Sequence, residues 1–335
     1  MVESANPVLA EVWRGEILEC VHRGTAVVAT AAGEVVEAWG DPARVVLPRS
    51  SFKMIQALPL VESGAADAAG LGSEQLALAC ASHHGATVHT GLAGSWLAGI
   101  GLAESDLRCG AHQPRDAATR HGLRACGALP GQFHNNCSGK HCGFLTATRR
   151  LGGGPEYLEL EHPVQKAVRR AVEEVTGDAI AGVSIDGCSA PNFAVSLKGL
   201  ASAMARFATA GTSFSGARAS AARRLVGAMV AHPVLVGGEG GATTALIRAC
   251  AGRAVVKTGA EGVFTGILLG RGLGIALKID DGNARGSEAA IAALLARHGA
   301  LERSDPVHAA LADTPILNCR GFAHGHLRAA DVLMG

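Results

Sequence analysis

Strand-type patterning occupies both ends of this chain, and helix-type patterning fills the long stretch between them. Val8–Cys20, Thr25–Ala31 and Glu34–Trp39 are rich in β-branched residues, with Arg14-Gly15 and Ala32-Gly33 as turns. From Ser50 to about Ala249 apolar residues recur at helical spacing, as in Met54, Ala57, Leu58 and Val61, or Leu76, Ala79 and Cys80 behind a Ser73 cap. Strand signals return at Ala254–Lys257, Gly262–Leu269 and Leu273–Ile279, followed by a helix over Ser287–His298. Three strands at each end, with helices between, suggest one sheet assembled from both termini. The pattern predicts an α/β (α+β) fold: a mainly antiparallel sheet built from both chain ends, with a helical insertion. No Pro- or Ser-rich connector, charge block or repeat divides the chain. A single catalytic domain over 1–335 is therefore expected, its sheet from about 1–49 and 250–335 and its helical region about 50–249, with Gly211–Gly216 as an exposed loop.

Composition narrows the function. Hydrophobic residues make up 48% and charged residues 18% of 335, enough apolar material for a large core and too much for a disordered chain. Thirty Lys and Arg against 29 Asp and Glu give a net charge of +1, so no basic field exists to hold nucleic acid or an anionic membrane. No apolar run reaches the roughly 18–20 residues that span a bilayer. Met1-Val2-Glu3-Ser4 lacks both the basic and the apolar regions of a leader, and a cytoplasmic location is expected. The nine cysteines, an odd number, then read as reduced thiols, most of them small core residues.

Five polar segments stand out. In Arg49-Ser50-Ser51-Phe52-Lys53, Ser50 and Lys53 are three apart, which on a helix puts both on one face. A neutral Lys53 amine there could accept the Ser50 proton during attack on a carbonyl, and the helix end favours developing negative charge. The same residues would also serve as an N-cap and a solvated first-turn lysine. Lys257-Thr258-Gly259 closes a strand, placing Lys257 at a sheet edge; Ser-x-x-Lys followed by Lys-Thr-Gly is the order found in serine β-lactamases and penicillin-binding proteins. Cys80-Ala81-Ser82-His83-His84 offers a second hydroxyl, its histidines reading equally as hydrogen-bonded loop residues.

The remaining segments run from His134 through Asn135, Asn136, Cys137, Ser138, Gly139, Lys140 and His141 to Cys142, and from Ile185 through Asp186, Gly187 and Cys188 to Pro191. Cys137 and Cys188, with a nitrogen from Lys140 or His141, have the donor types that bind Zn²⁺, although the paired Cys spacing of structural zinc sites is absent. Asp186 is either a carboxylate for a substrate ammonium or an Asx-turn.

Taken together the segments resemble the Rhizobium-type (class 3) L-asparaginases, the asparaginase II family. The resemblance rests on Arg49-Ser50-x-x-Lys53, Cys80-Ala81-Ser82-His83, Asn136-Cys137-Ser138-Gly139-Lys140-His141, Asp186-Gly187-Cys188, His232-Pro233, Gly238-Glu239-Gly240, Lys257-x-Gly259-Ala260 and Ile279-x-Asp281-Gly282-Asn283. Thr258, His84 and Cys142 depart from the family's pattern. The resemblance implies a serine β-lactamase/glutaminase-like fold, a homodimer, and hydrolysis of L-asparagine to L-aspartate and ammonia. It implies two Ser-Lys pairs, Ser50 with Lys53 and Ser82 with Lys257, and a zinc held by Cys137, Lys140 and Cys188 that is not directly catalytic. Arg49, Asn136 and Asp186 become substrate-binding candidates, with Asn135 beside Asn136 in the gripping segment. Rival expectations are a glutaminase or β-lactamase-like serine amidohydrolase, and a non-catalytic zinc-binding protein.

Overall fold

A computed structural model describes residues 6–335; Met1–Ser4, read above for a leader, lie outside the described residues. The described strands are β1 (Val8–Arg14), β2 (Ile17–Thr30), β3 (Val35–Trp39), β4 (Val45–Val46), β5 (Gly182–Ile185) and β6 (Pro191–Ser196), then β7 (Ala254–Thr258), β8 (Val263–Leu268), β9 (Leu273–Ile279), β10 (Asp313–Leu317) and β11 (Ala323–Ala329). They and the helices divide into two compact units.

The first unit holds the chain up to Ser51, Val195–Thr209 and Ala245–Gly335. Its sheet runs β10-β11-β1-β2-β9-β8-β7, with β3 also on β2. Every described pairing in it is antiparallel, and the expected assembly from both chain ends is what forms. The turn at Arg14-Gly15 divides β1 from β2, and Ile17–Thr30 is one strand where the sequence suggested a break before Thr25. Its outer half pairs with β1 and its inner half with β9 and β3. Gly24 sits at the changeover, where an added Cβ would lie 2.3 Å from the Lys278 carbonyl oxygen.

Helices cover both faces of this sheet. Gly266 of β8 faces Ile291 in helix Ala284–Arg297, while Gly274 of β9, paired with Ile267, would drive a Cβ to 2.0 Å from Ala201 O in helix Leu197–Ala208. Successive residues 266 and 267 point to opposite faces, so the two helices lie on opposite sides. All six residues of β8 are accordingly buried. Small residues thus let helix and sheet backbones approach closely, as the aromatic-poor composition requires.

The second unit, Phe52–Ala194 and Ala210–Thr244, is mainly helical. Met54, Ala57, Leu58 and Val61 are all buried as their spacing predicts, although the helix breaks at Ala57 into Lys53–Gln56 and Leu58–Glu62. Helix Ser73–Ala79 starts at the expected cap itself: Gly72, one residue earlier, is its N-cap, its N–H held by Gln75 Oε1 at 3.1 Å. Helix Pro163–Thr176 is amphipathic, capped by the His162 side chain on Val164 N and ended by Gly177 at φ 76°. Its buried Val164, Val168, Val172 and Val175 each contribute roughly 1.5 kcal/mol. The sequence reading missed the hairpin of β5 on Pro191–Ala194 of β6, and it took part of Gly211–Gly216 for a loop where Ala210–Ser213 forms a helical turn. No helix of the described residues is long and apolar enough to cross a membrane.

Candidate active site

The sequence-predicted residues fall into two clusters, one per unit. In the first unit, Arg49–Phe52 forms a 3₁₀ turn that begins with Arg49 at φ +55°. A left-handed arginine is a strained start to a helix. Ser51 is buried and bonds Pro48 O twice, through its N–H at 3.2 Å and its hydroxyl at 2.7 Å, leaving the half-buried Ser50 at the turn's crest. Arg49 faces Glu261 at 4.0 Å.

The β7–β8 hairpin reaches this turn. Lys257 lies on edge strand β7 as expected, yet it is fully buried, and its ammonium donates to Thr258 O at 2.8 Å. The Thr265 hydroxyl, directly across from Lys257, donates to Ser51 O at 2.8 Å, with Lys257 O at 3.3 Å. Gly259 packs so tightly that a Cβ would sit 2.7 Å from Pro48 O. The Ser50 turn and the Lys257 strand are therefore joined within one unit.

The second cluster surrounds Lys53, which is fully buried. Its Nζ lies 3.3 Å from Ser82 Oγ, 3.1 Å from Cys137 Sγ and 3.4 Å from Asn136 O, and it also bonds Ala81 O. Two backbone carbonyls, a thiol and the Ser82 hydroxyl thus surround the Lys53 nitrogen. Ser82 follows helix Ser73–Ala79 in an extended segment tied down by Ser82 N to Val236 O at 2.8 Å and His83 N to Asn136 O at 3.3 Å. His83 belongs to this framework. Its ring accepts from Gly85 N at 3.1 Å and meets Ser138 Oγ at 2.9 Å. Burial holds its imidazole well below the ordinary histidine range, neutral and structural.

Asn135 departs from its expected role. Its side chain accepts from Cys137 N at 2.9 Å and donates to Cys109 O at 2.9 Å and Gly110 O at 3.0 Å, so its amide fixes backbone rather than gripping substrate. Asn136 is half-buried, with Oδ1 3.3 Å from Cys137 Sγ.

Cys188 enters on the tight turn between β5 and β6, whose Ser189 takes φ +66°. Asp186 Oδ1 accepts from Gly187 N at 2.8 Å, one residue on rather than the two of an Asx-turn, and Oδ2 lies 3.4 Å from Asn192 Nδ2. Cys188 Sγ is 3.1 Å from Lys140 Nζ. The Cys137 hydrogen bond pulls the Cys188 thiol down to about 4 against the opposing effect of burial, with Lys140 and Lys53 helping. The same bond and burial push Cys137 up to about 12. Burial would lower Lys140, but the two sulfurs outweigh it and raise it.

This donor set fits a thiophilic cation. Two adjacent sulfurs, one already a thiolate, and an amine beside them are soft ligands of the kind Zn²⁺ takes, and binding would displace the Lys140 proton. Among the described residues no group of three or more His, Cys, Asp and Glu side chains could hold a metal, so Lys140 is indispensable to such a site. The other candidates turn elsewhere. His141 Nδ1 meets Tyr157 Oη at 2.9 Å, and Tyr157 Oη takes the Arg108 N–H at 2.7 Å. That bond engages the Nδ1 edge of His141 with Tyr157 rather than with the two sulfurs. Cys142 lies 3.9 Å from Ala93 O. Sequence reasoning missed Thr265, whose only signal is one hydroxyl in an apolar strand, and Cys109, a thiol that burial pushes up, with Cys137 and Cys188 adding to the shift.

Comparison with known proteins follows from this geometry. No curated protein matches the chain significantly. Among solved structures it is similar to a beta-lactamase from Mycobacterium bovis, at 16% identity over 82% of this chain and 94% of that one, with a TM-score of 0.43. It is also similar to Mglu in its tris and glutamate form, at 16% identity over 90% of this chain and 64% of that one, with a TM-score of 0.48. The chain thus spans a little under two thirds of that form of Mglu. The family comparison is more extensive: the L-asparaginase II model matches residues 10–329. Nearly the whole described chain, with both clusters inside it, falls under that match, and the chain belongs to the L-asparaginase II family of amidohydrolases.

Proposed function

We propose that the protein hydrolyses the side-chain amide of L-asparagine through a covalent acyl-serine. Ser50 Oγ attacks the amide carbon while Lys53 takes its proton; the C–N bond then breaks as Ser82 and Lys257 relay a proton to the departing nitrogen, releasing ammonia. Water adds to the ester, the C–Oγ bond breaks, and aspartate leaves with Ser50 restored. The observation that carries this reading is the buried Lys53 amine 3.3 Å from the Ser82 hydroxyl, one helical turn along the chain from Ser50. The link from the Ser50 turn to the Lys257 strand through Thr265 and Gly259 supports it.

Arg49 would meet the α-carboxylate, Asp186 the α-ammonium, and Asn136 the polar edge of the substrate. Zinc on Cys137, Lys140 and Cys188 would supply a fixed positive charge that orders this pocket, while nucleophile and base remain Ser50 and Lys53.

Ammonia release from L-asparagine, from L-glutamine and without substrate tests the reading. One methylene discriminates by about 1–3 kcal/mol, so kcat/KM is expected at least roughly tenfold higher for asparagine. Equal or faster release from glutamine would make the protein a glutaminase, and no release from either would reject amide hydrolysis of these amino acids.

A further inference from the structure

We propose that the Thr265 hydroxyl is the positioning group that holds the Ser50 turn in its reactive place against the Lys257 strand. The inference rests on the reading of Ser50 as nucleophile. Strand β8 is otherwise apolar and wholly buried, and Thr265 is the one hydroxyl in it. Its proton goes to Ser51 O, the shorter contact at 2.8 Å, while Lys257 O lies 3.3 Å away on the paired residue. One oxygen therefore spans both halves of the Ser50–Lys257 arrangement.

The turn needs such a restraint. Arg49 at φ +55° stores strain, and strained backbone persists only where its surroundings over-determine it. Ser51 closes the turn on Pro48 O, but that bond lies within the turn and cannot place it relative to the sheet. Gly259 presses on Pro48 O from the sheet without a directional bond. Thr265 alone among the described contacts supplies a directed hydrogen bond from β8 to the residue after Ser50. Without it the strain at Arg49 can relax by moving the Ser50–Ser51 peptide, and a shift of about 1 Å at a nucleophile is worth on the order of 100-fold in rate.

Thr265→Val keeps shape and removes the hydroxyl; Thr265→Ser keeps the hydroxyl. Asparagine kinetics of both, beside Ser50→Ala, form the test. The expected result is a kcat roughly 10- to 100-fold lower for Thr265→Val with KM within about twofold, and recovery to within about threefold in Thr265→Ser. A folded Thr265→Val with unchanged kcat, while Ser50→Ala is inactive, overturns the positioning role alone. Activity retained in Ser50→Ala overturns the nucleophile and the positioning role together. Should Thr265→Val not fold, Thr265→Ala against Thr265→Ser decides by the same kcat ratio, equality overturning the inference.

Discussion

At the scale of single residues, Cys188 and Lys140 show how burial turns ordinary side chains into a charged pair. A buried thiol ordinarily rises in pKa, yet the Cys137 hydrogen bond and the Lys140 ammonium bring Cys188 down to about 4. Both residues were legible in the sequence, because they stand in polar segments of an apolar chain and carry the donor types that take Zn²⁺. Which nitrogen stands by the sulfurs was not legible, since Lys140 and His141 are neighbours and only the Tyr157 hydroxyl, distant in sequence, turns His141 away. Cys188→Ser replaces the thiolate with a neutral hydroxyl. On the proposed zinc reading it should abolish zinc binding and raise KM for asparagine several-fold, roughly threefold or more, while kcat falls less. Metal content and steady-state kinetics on the same sample check this; an unchanged KM with metal lost would make the sulfur pair purely structural.

Elements bring these residues together through close backbone approach. Helix Ser138–Leu151 is buried along its first ten residues, and at Gly139 an added Cβ would lie 2.2 Å from the carbonyl oxygen of Leu78 in helix Ser73–Ala79. That contact sets Lys140 beside the segment that carries Ser82. Gly139→Ala is expected to lower stability by about 3 kcal/mol or more, beyond ordinary overpacking, because the obstructing atom is backbone. Chemical denaturation measures it, and a change under about 0.5 kcal/mol, the size of an ordinary surface substitution, would contradict the packing account.

Regular elements were readable where apolar runs or helical spacing stood out, as in β7, β8 and β9 or the buried face of Met54, Ala57, Leu58 and Val61. Strands β5, β6, β10 and β11 escaped for separate reasons. All four residues of β5 are exposed, every residue of β6 but the last is buried, β10 carries Pro315, and β11 is interrupted by two histidines and a glycine. β5, β6 and β11 lack the alternation of a half-buried strand, and in β10 the proline masks it.

For the whole molecule, the two-ended sheet followed from pattern alone: strand signals cluster at both ends of the chain, and the pairing of β2 with β9 joins the two groups. The place of helix Leu197–Ala208 did not: its periodicity identifies an apolar face but not the sheet that covers it, and residues 195–209 belong with the sheet rather than with the helices around them in sequence. The chemistry is distributed in the same way. Ser50 and Lys257 are joined through Thr265 in one unit, and Lys53, Ser82, Cys137 and Cys188 assemble in the other. If Ser50 and Lys53 serve one reaction, as proposed, the loss of either costs nearly as much as the loss of both. The most direct measurement is asparagine turnover by Ser50→Ala and by Lys53→Met, each purified and shown to be folded. The account predicts that each loses on the order of 1000-fold or more in kcat, and that the double variant is hardly worse than either. Near-normal turnover by either single variant would contradict it.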